Sequence, residues 1–254
     1  MLTKNNIKLI RSLEQKKYRN KEGVFVAEGP KVVGDLLDAM RPRKVYATSE
    51  WIGSNNTRGI DVEVVSEEEL SRISFLQHPQ QVLALFHIPT NEESDDYAET
   101  LKGKLTLALD SVQDPGNLGT IIRIADWFGI ETILCSYETA DVYNPKVVQA
   151  TMGSIARVRV IYTDLPQTLS LLKQQMPVYG TLLDGENIYS KPLSQEGVIV
   201  MGNEGKGISP SVSGIITDRI LIPNYPEGRH TTDSLNVAIA TAITCAEFRR
   251  RATG

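Results

Sequence analysis

Short apolar runs alternate with amphipathic stretches along nearly the whole chain, and one polar interval interrupts the alternation. In the first part the pattern predicts a helix over 5–17, with Ile7, Leu9, Ile10 and Leu13 close to one stripe. A buried strand follows at 24–27, then a helix over 29–40 with Val32, Val33, Leu36 and Leu37 facing inward. Further strands are predicted at 44–48, 61–65 and 81–86, and Ser66 with Glu69 makes a capping-box pattern for the helix between the last two. Residues 1–89 therefore read as a small α/β domain. Residues 90–103 turn polar and acidic, with Glu92, Glu93, Asp95, Asp96 and Glu99, and mark a linker. From 104 to 254 apolar runs at 105–109, 132–135, 158–162, 178–183, 198–201 and 220–222 alternate with helical patterns at 119–128, 146–152, 165–175, 209–216 and 235–250. Continuous apolar strands separated by helices predict a mostly parallel sheet covered on both faces. Ligands of such sheets gather at the carboxyl ends of the strands.

Composition adds three constraints. A chain of 254 residues exceeds the roughly 100 to 200 residues of a typical domain, in keeping with two domains. No apolar run approaches the roughly 18 residues that span a bilayer, and the opening segment lacks the features of a secretory signal. A cytoplasmic location is expected. Cys135 and Cys245 belong to no CxxC pair or His/Cys ligand spacing; buried, reduced thiols are expected and no metal site. The net charge of −4 hides a segregation: residues 1–44 hold eleven Lys/Arg against five Asp/Glu, leaving −10 on the remainder. Lys16, Lys17, Arg19 and Lys21 are the densest basic tract, either a phosphate-binding footprint or a solvated helix face.

Three strand ends carry unusual residues. In LALDSVQDPGNLGTIIRIADWFG a strand ends at Asp110, and Asn117 and Arg123 stand six apart at the entry of a helix. An arginine near a helix start opposes the helix dipole, so it serves either a structural ion pair or function. In VIVMGNEGKGISP a strand runs into three glycines spaced GxxGxG. That is neither the dinucleotide GxGxxG nor a P-loop, which disfavours a nicotinamide-dependent dehydrogenase; a tight turn or close backbone approach to a ligand explains it. In RILIPNYPEGRHTTDSLNVAIATAITCA, Ser234 and Asn236 are polar groups at the start of an otherwise apolar helix. Asp233 or Ser234 could cap that helix, or these polar groups could face a ligand.

In this order, Asn-x5-Arg, GNEGxG and IP followed by SLN resemble the catalytic domain of the SpoU/TrmH family, RNA ribose 2′-O-methyltransferases of the SPOUT superfamily, over 105–248. The segment KKYRNKEGVFVAEGPKVV is similar to the substrate-binding domain often attached to these enzymes. The resemblance implies a trefoil knot in the C-terminal region, a homodimer through the catalytic domain, S-adenosyl-L-methionine as cofactor, and RNA as substrate, ribosomal in preference to transfer RNA. It implies catalytic roles for Asn117, Arg123, Glu204, Ser234 and Asn236, and cofactor contacts at Thr181, Leu182, Met201, Gly202, Ile222 and Leu235. Glu204 and Asn117 are expected to hold the Arg123 guanidinium, Ser234 and Asn236 to orient the ribose, and Lys16, Lys17, Arg19 and Lys21 to meet RNA phosphates. One departure is the segment between Pro223 and Ser234, longer than the compact glycine loop usual in the family; it either reshapes substrate access or brings Arg229 and His230 to the RNA. A non-catalytic RNA-binding or ribosome-assembly protein on the same fold, or a tRNA-directed 2′-O-methyltransferase, are the alternatives.

Overall fold

The structure, a computed structural model, describes residues 2–89, 97–226, 229, 232 and 234–252. Two separate cores divide the chain into one unit of residues 1–90 with 141–157 and a second of residues 91–140 with 158–254.

In the first unit β1 (Val24–Glu28), β2 (Pro42–Ala47), β3 (Val62–Val64) and β4 (Val82–His87) form a sheet of order β1-β4-β2-β3. β4 is antiparallel to both neighbours, and β3 runs parallel to β2. Side chains alternate across the sheet. Phe25, Ala27, Val45, Ala84 and Phe86 join Val32, Val33 and Leu36 of the helix Pro30–Ala39 in one core. Val24, Val26, Leu83 and Leu85 meet Ile10, Leu13, Leu70 and Ile73 in the other. The capping box forms as the sequence indicates, with Ser66 and Glu69 bonding reciprocally.

The single helix expected over 5–17 is two helices, Lys4–Ser12 and Lys16–Glu22. The interruption has a physical cause. Leu13 is fully buried, and the carbonyls of Leu13 and Glu14, turned out of the helical ladder, each accept a 2.7 Å hydrogen bond from Nη1 of Arg19. Arg19 itself is 1% exposed and donates through Nη2 to Asp141 Oδ2 at 2.5 Å. It is an internal brace and not the phosphate contact expected of it.

Asp141 introduces a second correction, because the segment 141–157, assigned by sequence to the catalytic domain, packs in the first unit. Its helix, Pro145–Ala150, is capped by Asn144. Val148 enters the core beside Phe25 and Phe86, with Tyr143 and Ile155 against it, and the Tyr143 and Phe25 ring centroids are 4.9 Å apart. Arg157 Nη1 pairs with Asp35 at 2.9 Å. Periodicity finds such a helix but not the sheet it covers. The linker is also shorter than its composition suggests: Tyr97–Leu101 is helical and Leu101 is buried in the second core, while residues 90–96 lie outside the described residues.

In the second unit β5 (Leu105–Leu109), β6 (Thr132–Cys135), β7 (Arg159–Tyr162), β8 (Val178–Asn187), β9 (Gly197–Met201) and β10 (Asp218–Leu221) form a six-stranded sheet of order β10-β8-β9-β5-β6-β7. Every pairing is parallel. Ala108, Leu134, Val178, Val198 and Val200 pack on Leu165, Leu169 and Leu172 of the helix Leu165–Leu172, and Leu107 and Leu109, on the other face of β5, are equally buried. The helices Pro115–Trp127 and Val237–Ala252 pack against each other. Arg249 fastens the pair by donating to the carbonyls of Phe128 and Gly129 at 2.7 and 3.0 Å, where the first helix ends. Both cysteines are buried free thiols; burial pushes the Cys135 thiol far up and Cys245 to about 12.

Candidate active site

The site grows from the carboxyl ends of β5, β9 and β10 and from the middle of β8. β9 ends at Met201, and Gly202 turns the chain so tightly that a Cβ there would run into the backbone of Gly207 and Ile208. No other residue fits. The loop closes on itself through paired backbone hydrogen bonds between Asn203 and Gly207, each 2.9 Å, with Gly207 at φ +69. Glu204 is thereby aimed at the loop that leaves β5. Its carboxylate accepts from the backbone amides of Gln113 (3.2 Å) and Asp114 (3.1 Å) and from Asn117 Nδ2 (3.1 Å). Burial pushes the Glu204 carboxyl up, but the hydrogen bonds from its own backbone, Asn117, Asp114 and Gln113 outweigh it and hold the group below its ordinary value. It is an ionised, acceptor-only group at neutral pH.

The helix Pro115–Trp127 starts here by an N-cap, Asp114, whose carboxylate accepts from the Asn117 amide at 2.8 Å, with Pro115 in the first turn. The Asn117 side chain spans two motifs: its Nδ2 reaches Glu204, and its Oδ1 accepts from Asn236 Nδ2 at 2.9 Å. Asn236 Oδ1 in turn accepts from the amides of Ala238 and Ile239 at 2.9 and 3.3 Å, capping the long C-terminal helix. So, among the described residues, the helix cap is Asn236 and not Ser234, while Asp233 lies outside the described residues. The choice between cap and site dissolves, since Asn236 performs the capping with one side-chain atom and joins the motif cluster with the other. Glu204, Asn117 and Asn236 form one hydrogen-bonded chain across three segments distant in sequence.

Arg123 is not part of that chain. The expectation that Glu204 and Asn117 hold its guanidinium is overturned: both are committed elsewhere, and Arg123 is exposed with no hydrogen bond or ion pair among the described residues. Helix geometry explains this. Six residues at about 100° each turn Arg123 about 120° away from the face of Asn117. It shares a face instead with Trp127, four residues on, which is 85% exposed.

Beside the cluster lies a cavity of about 540 Å³ lined by Thr181, Leu182, Met201, Gly202, Ile222 and Leu235, together with Ser234, Val237, Ala240 and the loop 203–207. The six positions expected at the cofactor are therefore brought together, two from within β8, two from the end of β9, one just after β10 and one just before the C-terminal helix. The lining suits an adenosine-sized group. Aliphatic walls flank a glycine-rich edge, and Lys206 stands at the loop. Of the long segment after Pro223, Arg229 is described, with its carbonyl accepting from Asn224 at 2.9 Å, and His230 lies outside the described residues. Sequence reading missed Asn203 and Asp110 as organisers of the site. An asparagine between two turn residues of a glycine loop is the signal that could have found the first.

Lys16, Lys17 and Lys21 are exposed on the short helix Lys16–Glu22, with Lys17 Nζ 4.7 Å from the Tyr18 ring centroid. Among the described residues no helix is long and apolar enough to cross a membrane, and no cluster of three or more His, Cys, Asp or Glu could hold a metal ion.

Comparison with known proteins identifies the family. The sequence model of the SpoU rRNA Methylase family matches residues 104–246, and that of the MRM3-like substrate binding domain matches residues 4–84. The chain is 31% identical over 243 residues to the 23S rRNA (guanosine(2553)-2'-O)-methyltransferase RlmP of Bacillus subtilis, covering 94% of each. Among solved structures, a protein of the TrmH family from Porphyromonas gingivalis superimposes with a TM-score of 0.89 at 44% identity over 99% of both chains. An AdoMet-bound rRNA methyltransferase from Sinorhizobium meliloti gives 0.84 at 33% identity, over 99% of this chain and 96% of that one. With its three motifs joined in one hydrogen-bonded cluster beside the cavity, the chain belongs to the SpoU rRNA Methylase family.

Proposed function

We propose that this chain transfers the methyl group of S-adenosylmethionine to a ribose 2′-hydroxyl of RNA, and of ribosomal RNA in particular. The observation that carries the reading is the convergence of the three motifs beside a cavity of about 540 Å³ at the strand ends. The name of the Bacillus relative and the AdoMet-bound Sinorhizobium structure support it. Thr181, Leu182, Met201, Gly202, Ile222 and Leu235 would hold the cofactor, which supplies an activated methyl group on a sulfonium. The chain's own residues do the rest. Glu204 and Asn117 fix the first turn of the Pro115–Trp127 helix, and Ser234 and Asn236 orient the ribose at the edge of the cavity. Arg123 stabilises the charge that develops on the ribose oxygen. A guanidinium keeps its proton and is no acceptor, so the hydroxyl proton leaves to water or to a neighbouring phosphate oxygen of the RNA. Mapping ribose methylation in ribosomal RNA from cells with and without the gene tests the substrate. One missing 2′-O-methyl in the large-subunit RNA is expected, and an unchanged ribosomal map with a missing mark in transfer RNA would redirect the assignment.

The same reading includes a trefoil knot around the cavity-forming loops, a cytoplasmic enzyme in which both thiols stay reduced, and a homodimer. The exposed Trp127 and Ile239, on the two packed helices of the second unit, support the dimer. Because Arg123 shares the Trp127 face, association there places Arg123 at the protomer boundary. Trp127→Asp is expected to sediment as a monomer and to lose methyl transfer while still binding S-adenosylmethionine; a fully active monomer would contradict the arrangement.

RNA capture falls to the first unit, through Lys16, Lys17 and Lys21 without Arg19. Replacing the three lysines by glutamine is expected to lower the slope of log affinity against log salt by about 2, at roughly 0.7 per lost single-strand phosphate contact. An unchanged slope means that the tract is a solvated face.

A further inference from the structure

The loop that follows β9 is tied to the loop that follows β5 at three successive points, of which the Glu204 contacts are only the middle one. Asp110, 4% exposed at the end of β5, accepts through Oδ2 from the Ser209 amide at 2.7 Å. Asn203 Nδ2 donates to the carbonyl of Ser111 at 2.7 Å, and Ser111 sits at φ +61 in the left-handed region. Asn203 Oδ1 accepts from the amides of Gly205 and Lys206, both at 3.0 Å. Those amides can only donate, so the atom facing them is the oxygen, and the nitrogen must point at Ser111. Every polar atom of Asn203, backbone and side chain, is therefore engaged, and it is the one residue of the three ties that both curls the loop and fastens it to the loop after β5.

We infer that Asn203 is a positioning residue for the methyl donor: its amide holds the loop 202–207 in the shape that walls the cavity, and so sets affinity for S-adenosylmethionine. The inference rests on the reading of that cavity as the cofactor site. Without the amide, the Gly205 and Lys206 amides lose their acceptor and only the paired backbone bonds between positions 203 and 207 still close the loop, so ordering its glycine-rich tip is charged against each binding event. Serine in place of asparagine keeps a weaker acceptor for the Gly205 and Lys206 amides but cannot reach Ser111.

The test uses the full chain with labelled S-adenosylmethionine in equilibrium binding and in steady-state methylation of ribosomal RNA. Asn203→Ala is expected to raise both Kd and KM for the donor about tenfold or more, with kcat at saturating donor within about threefold. Asn203→Ser is expected to fall between alanine and the parent. Thermal unfolding of the serine variant without donor guards against a general loss of fold. Donor affinity within twofold of the parent in Asn203→Ser and Asn203→Ala overturns the assignment, as does a loss confined to kcat. Ile222→Trp, which fills the cavity, tests the cofactor site independently of Asn203. It abolishes donor binding if the cavity is the site, and parental affinity in that variant overturns the site itself whatever Asn203 does.

Discussion

Arg123→Ala is expected to slow single-turnover methyl transfer by about 10²- to 10³-fold, the cost of removing one donor aimed at a developing oxyanion. Donor affinity should be unchanged, because Arg123 does not line the cavity. Stability should be unchanged too: the side chain is exposed and has no partner among the described residues, and substitutions of that kind shift stability by no more than about 0.5 kcal/mol. This separation of effects is what distinguishes a catalytic arginine from a structural one. Arg123→Lys keeps the charge and loses the planar fork, so most of the defect should remain. Rapid-quench measurement with saturating donor and excess enzyme reads the step directly. A rate near that of the parent protein in either variant removes Arg123 from the chemistry.

Arg19→Ala is expected to produce the opposite pattern, a large loss of stability with no direct effect at the second unit's site. The substitution strips the donor from two backbone carbonyls and leaves Asp141 without its 2.5 Å partner. Breaking a buried pair of this kind costs about 3 to 5 kcal/mol, a drop in Tm of roughly 10 °C or more for a unit of this size. Arg19→Lys should recover little, since an ammonium cannot donate along the three directions that the guanidinium covers. Urea unfolding monitored at the first unit gives the number. Stability within 0.5 kcal/mol of the parent, with weakened RNA binding, would restore Arg19 to the phosphate-binding tract from which its burial removes it.

The strands were legible because their signal is local. Runs such as Leu105–Leu109 and Gly197–Met201 are buried on both faces of a parallel sheet, and only continuous apolar sequence can fill such a place. The Ser66 capping box was legible for the same reason. What the sequence left hidden depends on partners far along the chain. Arg19 reads as one more cation in a basic tract, and only Asp141, 122 residues away, reveals it as a brace. The helix Pro145–Ala150 has the right period, but nothing local says that Val148 completes the core of the other unit. Deleting residues 1–90 to test RNA capture would therefore strip the partners of Tyr143, Val148 and Ile155 and confuse misfolding with lost binding; point changes at the three lysines avoid this. In the site, the resemblance names Asn117, Glu204 and Asn236, which the structure joins, and Arg123, which it does not, and it says nothing of their bonds. Glu204 points at amides and Asn236 caps a helix because carboxylate and amide groups near a core must be satisfied, a demand that motif spacing does not express.

Methyl transfer from S-adenosylmethionine to a ribose oxygen by the second unit is read most directly by incubating the purified chain with methyl-labelled donor and ribosomal RNA, digesting the RNA to nucleosides and locating the label by mass. Label in a single 2′-O-methylnucleoside is expected with the parent protein and almost none with Arg123→Ala. Label on a base, or equal transfer by the two proteins, would overturn the assignment.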